Sequence, residues 1–216
     1  MVKGVIFDLD GTLIDSMGIW NQIDKAFLIE CGVKSPPNDI SERVRKMTVD
    51  ESAEYFISEF GLNLTKSYII NRIEQLVRKQ YEELIPLKKG VYEILDYLDE
   101  RKIPYGIATA TYKKLALSVL ERYNILERFL FVLTDSEYPA GKTLPDIFNG
   151  GADIMKLKPS EVLVAEDSLH CIETSASAGF FTVGVYDDVS CNDWNRIKEI
   201  ADASVFELTE LKKYIM

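Results

Sequence analysis

Val5-Ile6-Phe7-Asp8-Leu9-Asp10-Gly11-Thr12-Leu13 spans residues 5–13 and decides how the rest of the chain is read. A short apolar run reads as a buried strand, and it delivers Asp8 and Asp10 to a turn at Gly11 and Thr12. Side chains two residues apart on a strand share a face, so the two carboxylates are expected to point the same way. They would stand at the strand's carboxyl end, where open α/β sheets bind their ligands. Like charges this close repel unless a cation or a shared proton relieves them. Read alone, the stretch supports a metal-assisted site with one carboxylate as nucleophile and the other as acid/base. A capped turn after a core strand is the plainer alternative.

Outward from this strand the pattern changes. Between Asp15 and Pro86 the apolar residues recur at helical spacing, with no convincing strand. Ile19, Ile23 and Phe27 form one stripe, and Val49, Ala53, Phe56 and Phe60 a second. Ile69, Ile73, Leu76 and Leu84, with Val77 and Tyr81 beside them, form a third. Ser35-Pro36-Pro37-Asn38 breaks the first helix from the next, Gly61 stops another, and Thr65 is placed as an N-cap. Pro86 to Gly90 reads as a return hinge.

After the hinge, strands and helices alternate. Strands are expected at Tyr105–Ala108, Phe129–Leu133, Val162–Ala165, Phe181–Val185 and Ala203–Phe206, besides Val2–Phe7 at the start. Helices are expected between them and a last one at the C-terminus. Apolar strands alternating with helices imply a parallel sheet covered on both faces. The expected fold is α/β, a Rossmann-like parallel core over 1–14 and 87–216 with an inserted helical cap over 15–86.

Composition narrows the function classes. The 216 residues are 47% apolar, which suits a sizeable core and excludes disorder. The net charge of −10 and the lack of a basic patch argue against nucleic acid and anionic membranes as partners. No apolar run approaches the roughly 18 residues of a membrane span. No signal-peptide pattern opens the chain, and Cys31, Cys171 and Cys191 have no metal-ligand spacing, so a reduced, cytoplasmic setting is expected. Cys31 and Cys171 read as packing residues. His170, the single histidine, reads as a helix-surface residue or a neighbour of the site.

Three later segments complete a set. Ile107-Ala108-Thr109-Ala110-Thr111 ends an apolar strand with hydroxyls. Gly141-Lys142-Thr143-Leu144-Pro145-Asp146-Ile147-Phe148 sets a lysine before a helix. Val162 to Ser168 ends a strand on Glu166-Asp167. Together with Asp8-Leu9-Asp10-Gly11-Thr12-Leu13, in this order, they resemble the four motifs of the haloacid dehalogenase-like phosphohydrolases. The order and spacing look most like the subgroup of β-phosphoglucomutase and phosphoglycolate phosphatase.

The resemblance implies a hydrolase acting on a small phosphorylated metabolite, a sugar or short-acid phosphate, with Mg2+ as cofactor. It makes Asp8 the nucleophile that forms an aspartyl-phosphate, a role open to a carboxylate. Asp10 would protonate the leaving alcohol and then activate water. Asp8, the Asp10 backbone carbonyl and Asp167 would hold Mg2+, with Glu166 as a direct or outer ligand. Hard oxygen donors suit that cation. Thr109 and the Ala110 N–H would bind the phosphate. Lys142 would pair with Asp8 and a phosphate oxygen, and Asp146 would orient Lys142 or cap a helix. Thr111 reads as the cap of the helix running through Lys113 and Lys114. Such a protein would be a monomer or a small homo-oligomer.

Departures from the subgroup bear on the reaction. Sugar phosphomutases carry a cap arginine that grips a second phosphate, and here the matching stretch offers Val49. They also carry a histidine shortly after the first motif, where this chain has Trp20. Arg43, Arg45 and Lys46 lie close enough in sequence to compensate, though a solvated charged turn is the better explanation of them. A hexose phosphomutase is therefore the second choice, and a non-catalytic phosphate-binding regulator a third.

Overall fold

The computed structural model describes residues 2–44, 47 and 49–215, without the side chains of Met17, Trp20, Asn21, Glu42 and Val49. Arg45, Lys46 and Thr48 thus lie outside the described residues, as do the side chains of Trp20 and Val49. The chain forms two compact units, Met1–Asp15 with Ile85–Met216, and Ser16–Leu84.

The first unit begins with β1 (Gly4–Phe7). The second follows with α1 (Met17–Glu30), α2 (Ile40–Val44), α3 (Val49–Phe60) and α4 (Lys66–Lys79). The first then resumes with α5 (Val91–Glu100), β2 (Tyr105–Thr109), α6 (Lys113–Arg122), β3 (Val132–Thr134), α7 (Asp146–Met155) and β4 (Val162–Glu166). It ends with α8 (Leu169–Ser177), β5 (Phe181–Val185), α9 (Trp194–Ile200), β6 (Ala203–Val205) and a 3-10 helix over Leu208–Lys213.

The six strands form one sheet in the order β3-β2-β1-β4-β5-β6, and every pairing is parallel. Parallel strands need crossover helices, and these cover both faces, so the strand interiors are dry. Val5, Ile6 and Phe7 of β1 have no exposed surface. Each contributes about 1.5–3 kcal/mol by leaving water. The strand order reverses direction between β1 and β4, the switch point at which such sheets open a crevice.

Several expectations are corrected at element ends. β1 is shorter than Val2–Phe7, and Val2 instead makes an isolated bridge to Ile215. β3 is Val132–Thr134 rather than Phe129–Leu133, because Leu126–Arg128 winds into a 3-10 turn and Phe129 caps it. The last expected helix is the 3-10 helix over Leu208–Lys213.

The helical unit packs Phe27, Leu28, Ile40, Val44, Ala53, Phe56 and Ile69 into its own core. Gly61, with φ +61°, ends the helix before it in a conformation that disfavours a side chain. Thr65 caps α4, its hydroxyl accepting the Tyr68 N–H at 3.2 Å. The third stripe runs differently from its sequence reading. Ile69, Val77 and Tyr81 are its buried line, and Leu84 is exposed. A π-helical turn over Gln80–Leu84 follows α4, and its wider step rotates Leu84 out of α register.

The outgoing and returning segments of the first unit pair with each other. Asp15 N–H donates to Pro86 O at 3.0 Å and Lys88 N–H to Leu13 O at 2.9 Å, around an antiparallel bridge between Ile14 and Leu87.

Candidate active site

Three strands end at one place. Register pairs Phe7 of β1 with Ala165 of β4 and Ile107 of β2. The residues one step beyond, Asp8 and Glu166, therefore stand side by side, with Ala108 level with them across β1 and Thr109 one step further along β2. Asp8 N–H donates to Ala165 O at 2.9 Å, which fixes this step. Strand geometry ends at Phe7, so Asp8 and Asp10 are not displayed by strand alternation. The chain turns at Gly11, whose φ is +87°. A Cβ built on Gly11 would lie 2.5 Å from Asp167 Oδ2, so the turn needs glycine for space as well as for backbone conformation.

Asp8, Glu166 and Asp167 are buried and each brings a carboxylate oxygen within 4.8 Å of the others. Lys142 reaches them from a 3-10 turn over Gly141–Thr143. Its ammonium donates to Asp8 Oδ1 and to Glu166 Oε1, the latter at 2.7 Å, and the lysine is only 6% exposed. Glu166 Oε2 accepts the Ser168 N–H at 2.9 Å. Three carboxylates thus face one ammonium, and with all three ionised the site would carry an excess of two negative charges.

The acidities show that strain. Burial pushes Asp8 well above the usual carboxylate range; Lys142 opposes this, while Glu166, Asp167 and Asp10 add to it. Asp167 is raised to about 8, first by burial and then by Glu166 and Asp187, against the opposing pull of Lys142 and the Ser190 hydrogen bond. Burial works against the charge on Lys142, but Asp8 and Glu166 hold it protonated beyond the ordinary lysine range. Among the described residues nothing donates to the buried Asp8 Oδ2. An oxygen-only donor set, two excess negative charges and an orphaned carboxylate oxygen all fit a hard divalent cation.

Asp10 is half-buried, and the Thr111 hydroxyl donates to its Oδ2. This corrects the expected role of Thr111. The cap position of α6 is Tyr112, with no side-chain cap bond, and the threonine reaches the acid instead. Thr109 is buried, and its hydroxyl oxygen accepts the Thr111 N–H at 3.0 Å; Ala110 between them is exposed. Asp146 is exposed in the first turn of α7. His170 lies on the surface of α8, with Nδ1 2.8 Å from Ser168 Oγ and Nε2 3.1 Å from Cys171 Sγ. Cys171 is buried, which pushes its thiol up and makes it inert.

In the helical unit, Arg43 is engaged locally. Its Nε donates to Asp39 Oδ2 at 3.0 Å and its Nη1 to the Tyr55 hydroxyl at 3.4 Å.

Sequence reasoning missed a second layer around Asp167. Ser190 Oγ donates to Asp167 Oδ2 at 3.1 Å, and the nearby Asp187 is buried and paired with Lys88. The one available signal was a paired aspartate, Asp187-Asp188, just past the carboxyl end of β5.

The family model of haloacid dehalogenase-like hydrolases matches residues 5–185, from β1 through β5. The chain belongs to this family. It is therefore a hydrolase. Among its relatives is the β-phosphoglucomutase of Bacillus subtilis, 30% identical over 85% of this chain and 83% of that protein. Another is the phosphorylated carbohydrates phosphatase of Thermotoga maritima, 24% identical over 82% of each chain. A solved structure from Thermotoga maritima, described as a candidate β-phosphoglucomutase, superposes with a TM-score of 0.86 at 23% identity over the whole of both chains. That likeness establishes a shared fold.

Proposed function

We propose that this chain is a Mg2+-dependent phosphomonoesterase that hydrolyses a small phosphorylated metabolite, a sugar or short-acid phosphate, through an aspartyl-phosphate on Asp8. The observation that carries the reading is the buried set of Asp8, Glu166 and Asp167 against a single Lys142. Asp8, Glu166, Asp167 and the Asp10 backbone carbonyl would hold Mg2+, which supplies charge neutralisation to the phosphate oxygens.

The chain's own residues do the rest. A carboxylate oxygen of Asp8 forms a bond to phosphorus as the ester P–O bond breaks, and Asp10 gives its proton to the leaving oxygen. Asp10 then takes a proton from water. The water oxygen attacks phosphorus, the bond to Asp8 breaks, and inorganic phosphate leaves. Lys142 favours the ionised form of Asp8 and meets charge on the phosphoryl group. The Thr109 hydroxyl hydrogen and the Ala110 N–H bind the phosphate oxygens. Thr111 holds the carboxyl of Asp10. The helical unit, residues 16–84, acts as the cap that selects the leaving group.

The phosphatase reading is preferred to a mutase. A mutase keeps its phosphoenzyme from water while the substrate turns, which calls for a grip on a second phosphate. The chain has Val49 where the resembling mutases have arginine, and its single histidine, His170, is far from the first motif in sequence. Names among the relatives support both a phosphatase of phosphorylated carbohydrates and a phosphoglucomutase. The test is a panel of sugar, acid and nucleotide phosphates with Mg2+, scored for inorganic phosphate. A parallel assay follows glucose 1-phosphate with a bisphosphate primer. Phosphate release without isomerisation is expected. Isomerisation faster than phosphate release would make the mutase the correct reading.

A further inference from the structure

The loop after β5, residues 186–193, is tied to the first turn of the site by one lysine. Lys88 Nζ donates to Gly11 O at 2.6 Å, to Tyr186 O at 3.0 Å and to Asp187 Oδ2 at 2.9 Å. These three acceptors use all three of its N–H groups. Its side chain is 18% exposed and that of Asp187 only 6%, so the pair is held away from water on one side. The other Asp187 oxygen accepts the Val189 N–H at 2.9 Å, and Ser190 N–H donates to Asp187 O at 3.1 Å. The loop is thereby folded back on itself. Ser190 Oγ then reaches Asp167 Oδ2 at 3.1 Å, the same oxygen that a Cβ on Gly11 would meet.

None of these groups donates or accepts a proton in the reaction proposed above. Their geometry serves something else. Gly11 must sit close over Asp167 with no room for a Cβ, and Lys88 holds the carbonyl of that glycine. The same lysine holds the loop that supplies Ser190. One cation therefore holds both segments that touch the Asp167 carboxylate.

We propose that Lys88, Asp187 and Ser190 form a strut that positions Asp167 as a metal ligand, Ser190 orienting the carboxylate and Lys88 with Asp187 fixing Ser190 and Gly11 against it. The inference rests on the reading of Asp167 as a ligand. Groups that hold a ligand's second oxygen reduce its freedom before the cation arrives, and their loss costs metal affinity about tenfold to a hundredfold. Lys88 stands in the returning segment, Pro86 to Gly90, so the strut also ties that segment to the site.

The test is calorimetric titration of the metal-free protein with Mg2+ and no substrate, beside a thermal melt in chelator. Ser190→Ala is expected to weaken Mg2+ binding about tenfold, with the chelator melt unchanged and binding restored in Ser190→Thr. Lys88→Met is expected to weaken binding as well and to lower the melt, since it leaves Asp187 buried without its cation. Asp167→Ala separates the two levels of the argument. If Asp167→Ala loses Mg2+ and Ser190→Ala binds it like wild type, the strut is refuted and the metal site stands. If Asp167→Ala itself binds Mg2+ like wild type, the ligand reading fails and the strut falls with it. Weak binding in Ser190→Ala that follows a lowered melt and is not restored by threonine would also refute positioning.

Discussion

Replacing Lys142 by methionine removes a charge while keeping an unbranched side chain of similar length in the same slot. The lysine is buried and paired with Asp8 and Glu166, both of which are buried themselves. Losing one partner of a buried ion pair leaves uncompensated charge and costs about 3–5 kcal/mol. For a chain of 216 residues that is a fall in Tm of roughly 6–20 °C, at about 2–4 °C per kcal/mol. The loss should depend on pH. Asp8 already binds its proton more tightly folded than unfolded, and without Lys142 it does so more strongly. A group with a raised folded pKa loses its contribution to stability as pH rises through that value. The variant should therefore lie close to wild type at acid pH and fall furthest behind at pH 8. Circular-dichroism melts in chelator at pH 5 and pH 8 measure this. Turnover with Mg2+ should drop by about a hundredfold to a thousandfold, the cost of one charge-stabilising donor. A Tm loss that is equal at both pH values, or wild-type turnover, would refute the electrostatic account of Lys142.

Gly11→Ala should disable the site, because the added Cβ meets Asp167 Oδ2 at 2.5 Å and the residue is held at φ +87°; Mg2+ titration and turnover should both fail, and normal values would contradict the packing. Mg2+ affinity should climb with pH and level off only above pH 8, since Asp167 is raised to about 8 in the metal-free protein and its proton competes with the cation; calorimetry from below pH 8 to well above it reads this, and a flat profile would remove that competition. Chelation should abolish turnover and Mg2+ restore it, with Ca2+ a poor substitute because it takes longer bonds and more ligands. Thr111→Val should lower kcat about tenfold with little change in KM, and Thr111→Ser should recover it, since one hydrogen bond to a charged group is worth about 1.5–3 kcal/mol at most.

The parts of the site that lie next to strands were legible because strands have simple geometry. Asp8, Thr109, Glu166 and Asp167 all follow apolar runs, and a parallel sheet brings the ends of such runs together whatever the loops do. Element ends were less legible. Phe129 looks like strand residue by composition, yet a 3-10 turn before it delays β3 to Val132. Leu84 fits an α-helical stripe and is exposed, because the π turn changes the period within one segment. Thr111 has the sequence signature of a cap, and only the fold shows that a carboxylate 101 positions away takes its hydroxyl. Lys88 was invisible for the same reason. Its partners Gly11, Tyr186 and Asp187 lie 77, 98 and 99 positions away, and no local pattern records such contacts.

The central claim is that phosphate passes through Asp8. Asp10→Asn should still allow attack on an activated aryl phosphate, whose leaving group needs no proton, while slowing the water step that Asp10 serves. Mixing this variant with Mg2+ and an aryl phosphate, quenching in acid, and reducing with borohydride converts an acyl phosphate to an alcohol that mass spectrometry can place. The account predicts the reduced residue at position 8, and none in the Asp8→Asn protein. Reduction at another carboxylate, or no trapped residue while the aryl phosphate is still turned over, would contradict it.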